Sequence, residues 1–255
     1  MSLVVKMNIF YEVSKSLETQ QEYERLKSIF PETDSENAEV IVVIGGDGFM
    51  LRILHKYYGQ DKYIYGLNFG TVGFLMNNRT DDLLTDIKKA NKHKLIPLQA
   101  KVKLQNGEEK LLLGFNEISI HRQKAQAIQI DIKVNNKTRV ENLICDGALL
   151  STPAGSTAYN FSAGGSILPL DSKTLALTPI SPFRPRKWNG AIIPDKTNIS
   201  FNVFNFKKRP AYITADNKSV ENIIKVDISL AKQGINILTD SNHDLEERII
   251  SEQFN

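Results

Sequence analysis

The chain has 255 residues, enough for one large domain or two modest ones, and its 41% hydrophobic and 24% charged content is ordinary for a globular protein. A net charge of +3 without a dense Lys/Arg cluster argues against nucleic-acid binding, and the single cysteine, Cys145, excludes an internal disulfide and fits a reducing compartment. No apolar stretch approaches the ~20 residues that cross a bilayer and no signal-peptide pattern is visible, so we expect a cytoplasmic protein without membrane contact.

Residues 1–96 alternate short apolar runs with helical patterns. Strands are predicted at Met7–Tyr11, Val40–Ile44 and Tyr63–Asn68, and helices at Ser14–Phe30, Phe49–Tyr58 and Thr80–His93. The Val40–Ile44 run is β-branched and wholly apolar, as expected for a parallel strand that is buried on both faces. This alternation predicts an α/β domain with a parallel sheet.

Residues 97–240 have a mainly β pattern, in which two-residue alternation and turn residues replace the helical spacing. Strands are predicted at Leu98–Leu104, Leu111–His121, Ala127–Val134, Arg139–Ile144, Ile199–Phe206, Ala211–Ala215, Ile223–Leu230 and Ile235–Thr239. Helical spacing returns at the end, and we expect a last helix over residues 241–255 to pack back on the first domain. The sequence therefore predicts two domains, 1–96 and 97–240.

A glycine-rich turn, Gly45-Gly46-Asp47-Gly48, joins the strand Val40–Ile44 to the helix that follows it. Glycines let a ligand approach the main chain closely, and a helix N-terminus attracts phosphate. The spacing departs from the Walker A loop and from the Rossmann fingerprint, so this is not a standard nucleotide loop. The alternative is a plain turn in which Asp47 caps the helix.

The aspartate in this turn needs an explanation, because phosphates are anions. Asp47 is compatible with them if it holds Mg²⁺ or if it acts as a general base toward an attacking hydroxyl. A second glycine-containing segment, Asn68–Leu75, follows the next strand, and neighbouring strand ends of a parallel sheet face one crevice where ligands bind. Together the two segments predict a phosphate or nucleotide site and phosphoryl transfer.

The most unusual segment is Ser151–Ser166, in which thirteen of sixteen residues are Ser, Thr, Pro, Ala or Gly. Apolar sequence flanks it, so a flexible linker is a poor explanation. Ser156 is predicted to cap a short helix that runs from Thr157 towards Gly164. Small side chains, a helix start and Tyr159 for stacking are typical of a surface that binds a nucleotide.

Several motifs, taken in order, resemble those of the NAD kinases. They are Gly45–Gly48, Asn68–Leu75, Asn116-Glu117, Asp146-Gly147 with Ser151–Tyr159, and Leu177–Pro182. The glycine turn alone also occurs in phosphofructokinases and diacylglycerol-type lipid kinases, whereas the Ser-Thr-Pro-Ala-Gly-Ser-Thr-Ala-Tyr run is specific to NAD kinases. The resemblance implies a Rossmann-like α/β domain with a parallel sheet, followed by a mainly β, sandwich-like domain.

The resemblance also implies an activity and a set of site residues. The reaction would transfer the γ-phosphate of ATP to the adenosine 2′-hydroxyl of NAD, giving NADP and ADP, with Asp47 as the catalytic base. Mg²⁺ would be held mainly through ATP, without a protein metal site. The ATP phosphates would face Gly45, Gly46, Gly48 and Arg52. NAD would be bound by Asp47, Gly48, Phe74, Asn116, Glu117, Asp146, Ser156, Thr157, Ala158, Tyr159, Ser162, Ser181 and Asp216.

Ser181 and Phe183 match a family segment that can reach a neighbouring subunit, which implies a homodimer or homotetramer. The chain departs from the family at Phe49, where many members have a small polar residue. It also departs at Ile144, where members often have an arginine, so that a positive partner for Asp146 or the pyrophosphate is missing.

Some alternatives stay open at this stage. Glu117 interrupts an apolar run and is costly to bury without a partner, but it could also face outward on an amphipathic strand. Asp216 could serve only a β-turn. The competing functions are a lipid kinase or phosphofructokinase-like enzyme and a non-catalytic NAD(H) or NADP(H) sensor. The four histidines show no metal-ligand spacing, so no zinc site is predicted.

Overall fold

The computed structural model of the chain describes residues 7–71, 73–186 and 188–241. The chain divides into two units, one that runs up to Leu95 and resumes at Gln233, and one that spans Ile96–Lys232. None of the helices among the described residues is long and apolar enough to cross a membrane. The predicted helix over 241–255 lies outside the described residues, apart from its first position.

The first part of the chain alternates strands and helices, as the sequence predicts. The elements are β1 (Ile9–Val13), α1 (Leu17–Ile29), β2 (Val40–Gly45), α2 (Asp47–Tyr57), β3 (Tyr63–Asn68), α3 (Leu83–Lys89) and β4 (Asn91–Leu95). β2 is buried along its whole length and pairs in parallel with β1 on one side and β3 on the other. The apolar β-branched run thus forms the centre of a parallel sheet.

The predicted helix Thr80–His93 is wrong at both ends. Asp82 caps α3 by accepting a hydrogen bond from the backbone of Thr85, and the helix ends at Lys89. His93 instead lies in β4, because this segment pairs with a strand from the far end of the chain. Pairing between distant segments outweighed the local helical spacing.

The second unit is mostly antiparallel β-structure. Its elements are β5 (Leu98–Leu104), β6 (Glu109–Gly114), β7 (Glu117–Arg122), β8 (Ile128–Val134), β9 (Lys137–Cys145), β10 (Gly147–Ser151), α4 (Tyr159–Ser162), β11 (Thr174–Ile180), β12 (Ala191–Pro194), β13 (Ile199–Phe204), β14 (Ala211–Ala215) and β15 (Lys218–Leu230). The strands form one sheet in the order β12-β11-β10-β7-β14-β15-β13-β8-β9, with β5 joined to β15 and β6. β7 therefore lies between β10 and β14.

Two differences from the predicted strands shape the site. The expected strand Leu111–His121 is broken at Phe115 and Asn116 into β6 and β7. β10, β11 and β12 were not predicted, because β10 and most of β11 are buried apolar runs without two-residue alternation.

The last strand, β16 (Ile235–Thr239), was assigned to the β domain by its position in the sequence, and this is wrong. β16 completes the first sheet, whose order is β1-β2-β3-β16-β4, by pairing in parallel with β3 and antiparallel with β4. The predicted fold class, a parallel α/β domain followed by a mainly β domain, is otherwise confirmed.

Candidate active site

In the first unit, the glycine turn connects β2 to α2. Gly46 is the N-cap of α2 and Asp47 is its first helical residue, so the alternative in which Asp47 caps the helix is wrong. The Asp47 carboxylate instead accepts hydrogen bonds from the backbone nitrogens of Phe74 at 2.8 Å and Leu75 at 3.2 Å. A negative charge at this end of a helix is also favoured by the helix dipole. The side chain is therefore held by a neighbouring loop as well as by its own helix.

That neighbouring loop is the predicted second glycine segment, after β3. The backbone of Phe69 donates a hydrogen bond to the Gly45 carbonyl at 2.7 Å, and the Asn68 side chain accepts one from the backbone of Gly70 at 2.9 Å. A side chain on Gly46 would begin 3.4 Å from the Cα atom of Gly70. The two glycine segments thus lie side by side at the ends of neighbouring strands, as the sequence predicts.

Phe49, the departure from the family pattern, packs against the glycine turn. A Cβ atom at Gly45 would lie 2.8 Å from Cδ1 of Phe49, so any other residue there would displace the Phe49 side chain. The guanidinium of Arg52, one turn further along α2, lies 5.2 Å from the centroid of the Phe49 ring. Phe49 therefore supports both the turn and the exposed cation beside it.

In the second unit, the candidate site lies on one face of the sheet around β7. Glu117, Ser119 and His121 alternate with the buried Ile118 and Ile120, so these three polar side chains share the face opposite the core. Their pairing partners on β10 are, in the same order, Ser151, Leu149 and Gly147. The face is polar in composition, yet Ser119 and Ser151 are buried.

Glu117 is the most unusual titratable group on this face. Burial, and after it the negative charge of Asp216, raise the pKa of Glu117 from its ordinary value of 4.5 to about 7. Among the described residues, neither its Oε2 atom nor the Oδ1 atom of Asn116 has a hydrogen-bond partner, although both atoms are buried. The open alternative of a solvent-facing Glu117 is therefore wrong. Buried acceptors of this kind are costly and point to a ligand that donates to them.

Asp216 organises the backbone next to these acceptors. Its carboxylate accepts hydrogen bonds from the backbone nitrogens of Phe115 at 2.7 Å and Asn116 at 2.9 Å. It follows β14 with a φ of 49°, in the left-handed region that turns use. Asp216 is thus a turn residue whose carboxylate also holds the Asn116 backbone, so its place in a turn is compatible with the predicted role in NAD binding.

The segment after β10 also contacts the backbone at Asn116. Thr152 donates to Asn116 from its backbone at 2.9 Å and to the Phe115 carbonyl from its hydroxyl at 2.6 Å. A Cβ atom at Gly155 would lie 2.2 Å from the Asn116 carbonyl oxygen. Only glycine allows this approach, which explains the glycine at this position.

Ser156 does not cap a helix, which corrects the prediction. It is fully buried, and its hydroxyl bonds to the Pro153 carbonyl at 2.7 Å and to the backbone nitrogen of Leu168 at 2.9 Å. The short helix α4 begins only at Tyr159, after Ala158. The Ser156 hydroxyl therefore holds the segment together.

Asn160 was not among the predicted residues. This residue is fully buried, and its amide nitrogen donates to the carbonyls of Ser156 at 3.1 Å and Ser166 at 2.9 Å. Its amide oxygen accepts a hydrogen bond of 2.7 Å from Thr178. The signal available in the sequence was a large amide side chain inside a run of small residues. This run folds back on itself.

The remaining predicted residues in α4 and just before it are accessible. Thr157 and Ala158 are half-buried, and Tyr159 and Ser162 are exposed. Burial raises the pKa of Tyr159, and the charges of Glu117 and Asp146 raise it further. Tyr159 thus lies within electrostatic range of both carboxylates.

Asp146 has a positive partner despite Ile144. The Nε atom of Arg122 lies 2.7 Å from Oδ1 of Asp146, so the expectation of a missing partner is wrong for Asp146. The Ile144 backbone donates to the Arg184 carbonyl at 2.9 Å, which brings the Phe183–Arg184 segment next to β9. Ser181, with a φ of 46°, and Phe183 are both exposed.

The structure thus groups the predicted residues by unit. The first unit carries Gly45, Gly46, Asp47, Gly48, Arg52 and Phe74, and the second carries Asn116, Glu117, Asp146, Ser156, Thr157, Ala158, Tyr159, Ser162, Ser181 and Asp216.

Comparison with known families decides which family has this arrangement. The family model of the ATP-NAD kinase N-terminal domain matches residues 2–95, and that of the ATP-NAD kinase C-terminal domain matches residues 115–244. The chain belongs to the NAD kinase family. The resemblance on which the sequence analysis relied is thereby confirmed, and with it the expectation of a kinase.

Individual members of the NAD kinase family agree over nearly the whole chain. An NAD kinase of Xylella fastidiosa is 44% identical over 255 residues, covering 100% of this chain and 98% of the relative. One from Rickettsia canadensis is 46% identical over 233 residues, covering 91% of each.

Two solved structures of NAD and NADH kinases share the fold. The Archaeoglobus fulgidus NAD kinase in complex with ATP has a TM-score of 0.77 at 25% identity, covering 96% of this chain and 97% of that one. The yeast NADH kinase complexed with NADH has a TM-score of 0.83 at 19% identity, covering 98% and 88%.

Proposed function

We propose that this kinase transfers the γ-phosphate of ATP to the adenosine 2′-hydroxyl of NAD, giving NADP and ADP. Membership of the NAD kinase family supports this reaction. Within the chain, the observation that carries it is the pair of buried, partnerless acceptors, Oδ1 of Asn116 and Oε2 of Glu117. Ribose hydroxyls are donors of the kind that would satisfy them.

The second unit would bind the dinucleotide. Glu117 and Asn116 would accept hydrogen bonds from a ribose, and Asp216 would keep the Asn116 backbone in place. The exposed ring of Tyr159 offers a flat surface on which the adenine can stack, beside Thr157, Ala158 and Ser162. Asp146, paired with Arg122, would contact NAD through its remaining acceptor positions.

The first unit would bind the triphosphate. Gly45, Gly46 and Gly48 leave the main chain open at the start of α2, where backbone N–H groups and the helix dipole favour anions. Arg52 adds a positive charge on the same helix. The Archaeoglobus fulgidus relative was solved with ATP, which supports ATP as the donor.

Asp47 would be the general base. The 2′-hydroxyl loses its proton to the carboxylate while its oxygen forms a bond to the γ-phosphorus, and the bond to the bridging oxygen breaks to release ADP. The carboxylate accepts hydrogen bonds from the backbone nitrogens of Phe74 and Leu75. Those bonds fix the direction in which the carboxylate points.

Mg²⁺ would neutralise the charge of the phosphates when it is bound with ATP. Among the described residues, no three His, Cys, Asp or Glu side chains are grouped in a way that could hold a metal ion. We propose that the ion is held mainly through the phosphates of ATP, whose oxygen atoms are the ligands that Mg²⁺ prefers.

The quaternary structure and location are also proposals. The exposed Ser181 and Phe183 would contribute to the site of a neighbouring subunit in a homodimer or homotetramer. Light scattering on the wild type and on Phe183→Ser would test this, because loss of the oligomer together with a higher KM for NAD is expected. The single buried thiol of Cys145 fits the cytoplasm.

The test of function is an assay of NADP formation from Mg-ATP and NAD by the purified chain. Asp47→Asn should lower kcat by about 10²- to 10⁴-fold, since the base is lost. Asp34→Asn is the matched control, because Asp34 also accepts two backbone hydrogen bonds, from Glu36 and Asn37, and lies outside the turn. Binding of NAD without turnover by the wild type would favour a sensor instead, and normal turnover by Asp47→Asn would rule out Asp47 as the base.

A further inference from the structure

Three aromatic rings form a column on the sheet face that carries Glu117. His121 lies between Tyr159 and Tyr212, with ring centroids 5.8 Å from Tyr159 and 5.0 Å from Tyr212. Both tyrosine rings are inclined by only 21° to the imidazole. These distances and angles are those of offset-stacked aromatic pairs. His121 was not among the predicted site residues, and the histidines were considered only in ruling out a zinc site.

The register of the sheet builds this column. His121 on β7 pairs with Tyr212 on β14 and with Gly147 on β10. Gly147 has no side chain, and a Cβ atom there would lie 2.2 Å from the Ile120 carbonyl oxygen. Tyr212 therefore flanks the imidazole on one side, and the Tyr159 ring, which comes from α4 rather than from the sheet, stacks on it as well.

Hydrogen bonds fix the imidazole within the column. Its Nε2 atom lies 2.8 Å from the Ser119 hydroxyl, which in turn lies 2.6 Å from the hydroxyl of Thr214. Ser119 is buried, so these hydrogen bonds are shielded from water. Burial also lowers the pKa of His121, which favours the neutral ring. The imidazole is thus a fixed, uncharged support.

Tyr159 is the outermost ring of the column, and 37% of it is exposed. It belongs to a helix of only four residues, which gives little support of its own. The ring also lies within electrostatic range of Glu117. The orientation of the Tyr159 ring, on which the adenine of NAD would stack, therefore depends on contacts with the sheet.

We propose that His121 is a positioning residue for this reaction, which fixes the plane of the Tyr159 ring against which the adenine of NAD packs. The inference rests on the proposed function. It assigns His121 no contact with the substrate, because its effect passes through Tyr159.

Two substitutions separate the effect of the His121 ring from the effect of its hydrogen bond to Ser119. His121→Gln keeps a group that can bond to Ser119 but removes the ring, and it should raise the KM for NAD by about 2- to 10-fold, the range expected for one aromatic pair. His121→Phe keeps a ring without the bond to Ser119 and should restore most of the affinity for NAD. The KM for ATP and kcat should change little in either variant. Tyr212→Leu, which removes the other support of the imidazole, should shift the KM for NAD in the same direction without altering residue 121.

A purely structural role for His121 would give a different pattern. It would lower the melting temperature and kcat without separating the KM for NAD from that for ATP. The matched control is Phe204→Ala, an exposed aromatic residue on β13 of the same sheet, which should leave both KM values unchanged.

A dinucleotide substrate with cytosine in place of adenine gives a second readout. Its smaller ring stacks less, so His121→Gln should reduce the preference for NAD over this analogue, whereas Phe204→Ala should not. A wild-type KM for NAD in both His121→Gln and Tyr212→Leu would overturn the inference and leave the proposed function intact. Absence of NADP formation by the wild type would overturn the proposed function itself.

Discussion

The carboxylate of Asp216 accepts a hydrogen bond from the backbone nitrogen of Asn116 over 2.9 Å, joining two residues 100 positions apart in the sequence. A second bond, to the backbone of Phe115, makes the contact bidentate. β6 and β7 are separated at these two residues, and the aspartate accepts from the backbone nitrogens of both. The Asp216 carboxylate thus accounts both for the break in the predicted strand and for the position of Asn116.

Asp216→Ala should remove this support and leave two backbone donors unsatisfied. We expect a loss of about 1–3 kcal/mol in stability, and a higher KM for NAD because Asn116 and Glu117 move together with the backbone. Asp216→Asn should be milder, since asparagine keeps one acceptor and tolerates the left-handed φ of 49°. Thermal unfolding and NADP kinetics measure both effects. An unchanged KM for NAD in Asp216→Ala would show that the contact does not position the site.

Glu117→Gln should change stability in a pH-dependent way. Because the folded chain raises the pKa of Glu117 to about 7, the folded state holds the proton more tightly than the unfolded chain does. The stability that this group contributes is complete below about pH 4.5 and is lost as the pH rises through about 7. Glutamine cannot ionise, so the ligand-free variant should be more stable than the wild type above about pH 7, by about 1–3 kcal/mol, and close to it at about pH 4.

The same substitution should harm NAD binding. An ionised carboxylate forms a stronger hydrogen bond to a ribose hydroxyl than an amide does, so the KM for NAD should rise by about tenfold or more. Melting curves of the ligand-free protein at the two pH values, together with the KM for NAD, check both parts. A difference in melting temperature that does not change with pH would contradict the burial of a titrating Glu117.

The sequence predicted the parts of the site that depend on local pattern. The turn Gly45–Gly48 follows a buried apolar strand, and the small residues around Gly155 stand out by composition alone. Contacts between distant segments were not visible in the same way. The bonds from Phe74 to Asp47 and the column around His121 depend on which strands are neighbours and in which register, and local spacing carries no such information.

Ser156 and β16 show how this limit produces errors. A serine before a short helix is a common N-cap, and only the return of the chain at Leu168 makes its hydroxyl a buried cross-link instead. β16 follows the β domain in sequence, but its place beside β3 is decided by the first sheet. In both cases tertiary contacts outweighed a valid local preference.

Gly155→Ala should be severe, because the new Cβ atom would lie 2.2 Å from a backbone oxygen that cannot move without disturbing Asn116. We expect a lower melting temperature and a large rise in the KM for NAD, with less effect on the KM for ATP. Gly164→Ala is the control in the same segment, where a Cβ atom would meet none of the described residues within 4 Å and only the positive φ of 84° is strained. It should cost about 1–3 kcal/mol without affecting the KM for NAD. Equal KM values in the two variants would contradict a specific role for the Gly155–Asn116 approach.

Phe49→Leu tests whether the departure from the family pattern serves ATP binding. Leucine keeps apolar contact with Gly45 but removes the ring face over which Arg52 lies. If the ring holds Arg52 toward the phosphates, the KM for ATP should rise by about 2- to 5-fold, as expected for an exposed cation–π contact, and the KM for NAD should not change.

A double-mutant cycle with Arg52→Gln decides whether Phe49 acts through that arginine. Once Arg52 is gone, its support has no further effect, so the double variant should have the same KM for ATP as Arg52→Gln alone. Independent roles would instead multiply the two effects. That result would assign Phe49 to the packing of the glycine turn alone. Its ring would then affect the binding of ATP through Gly45 and not through the charge of Arg52.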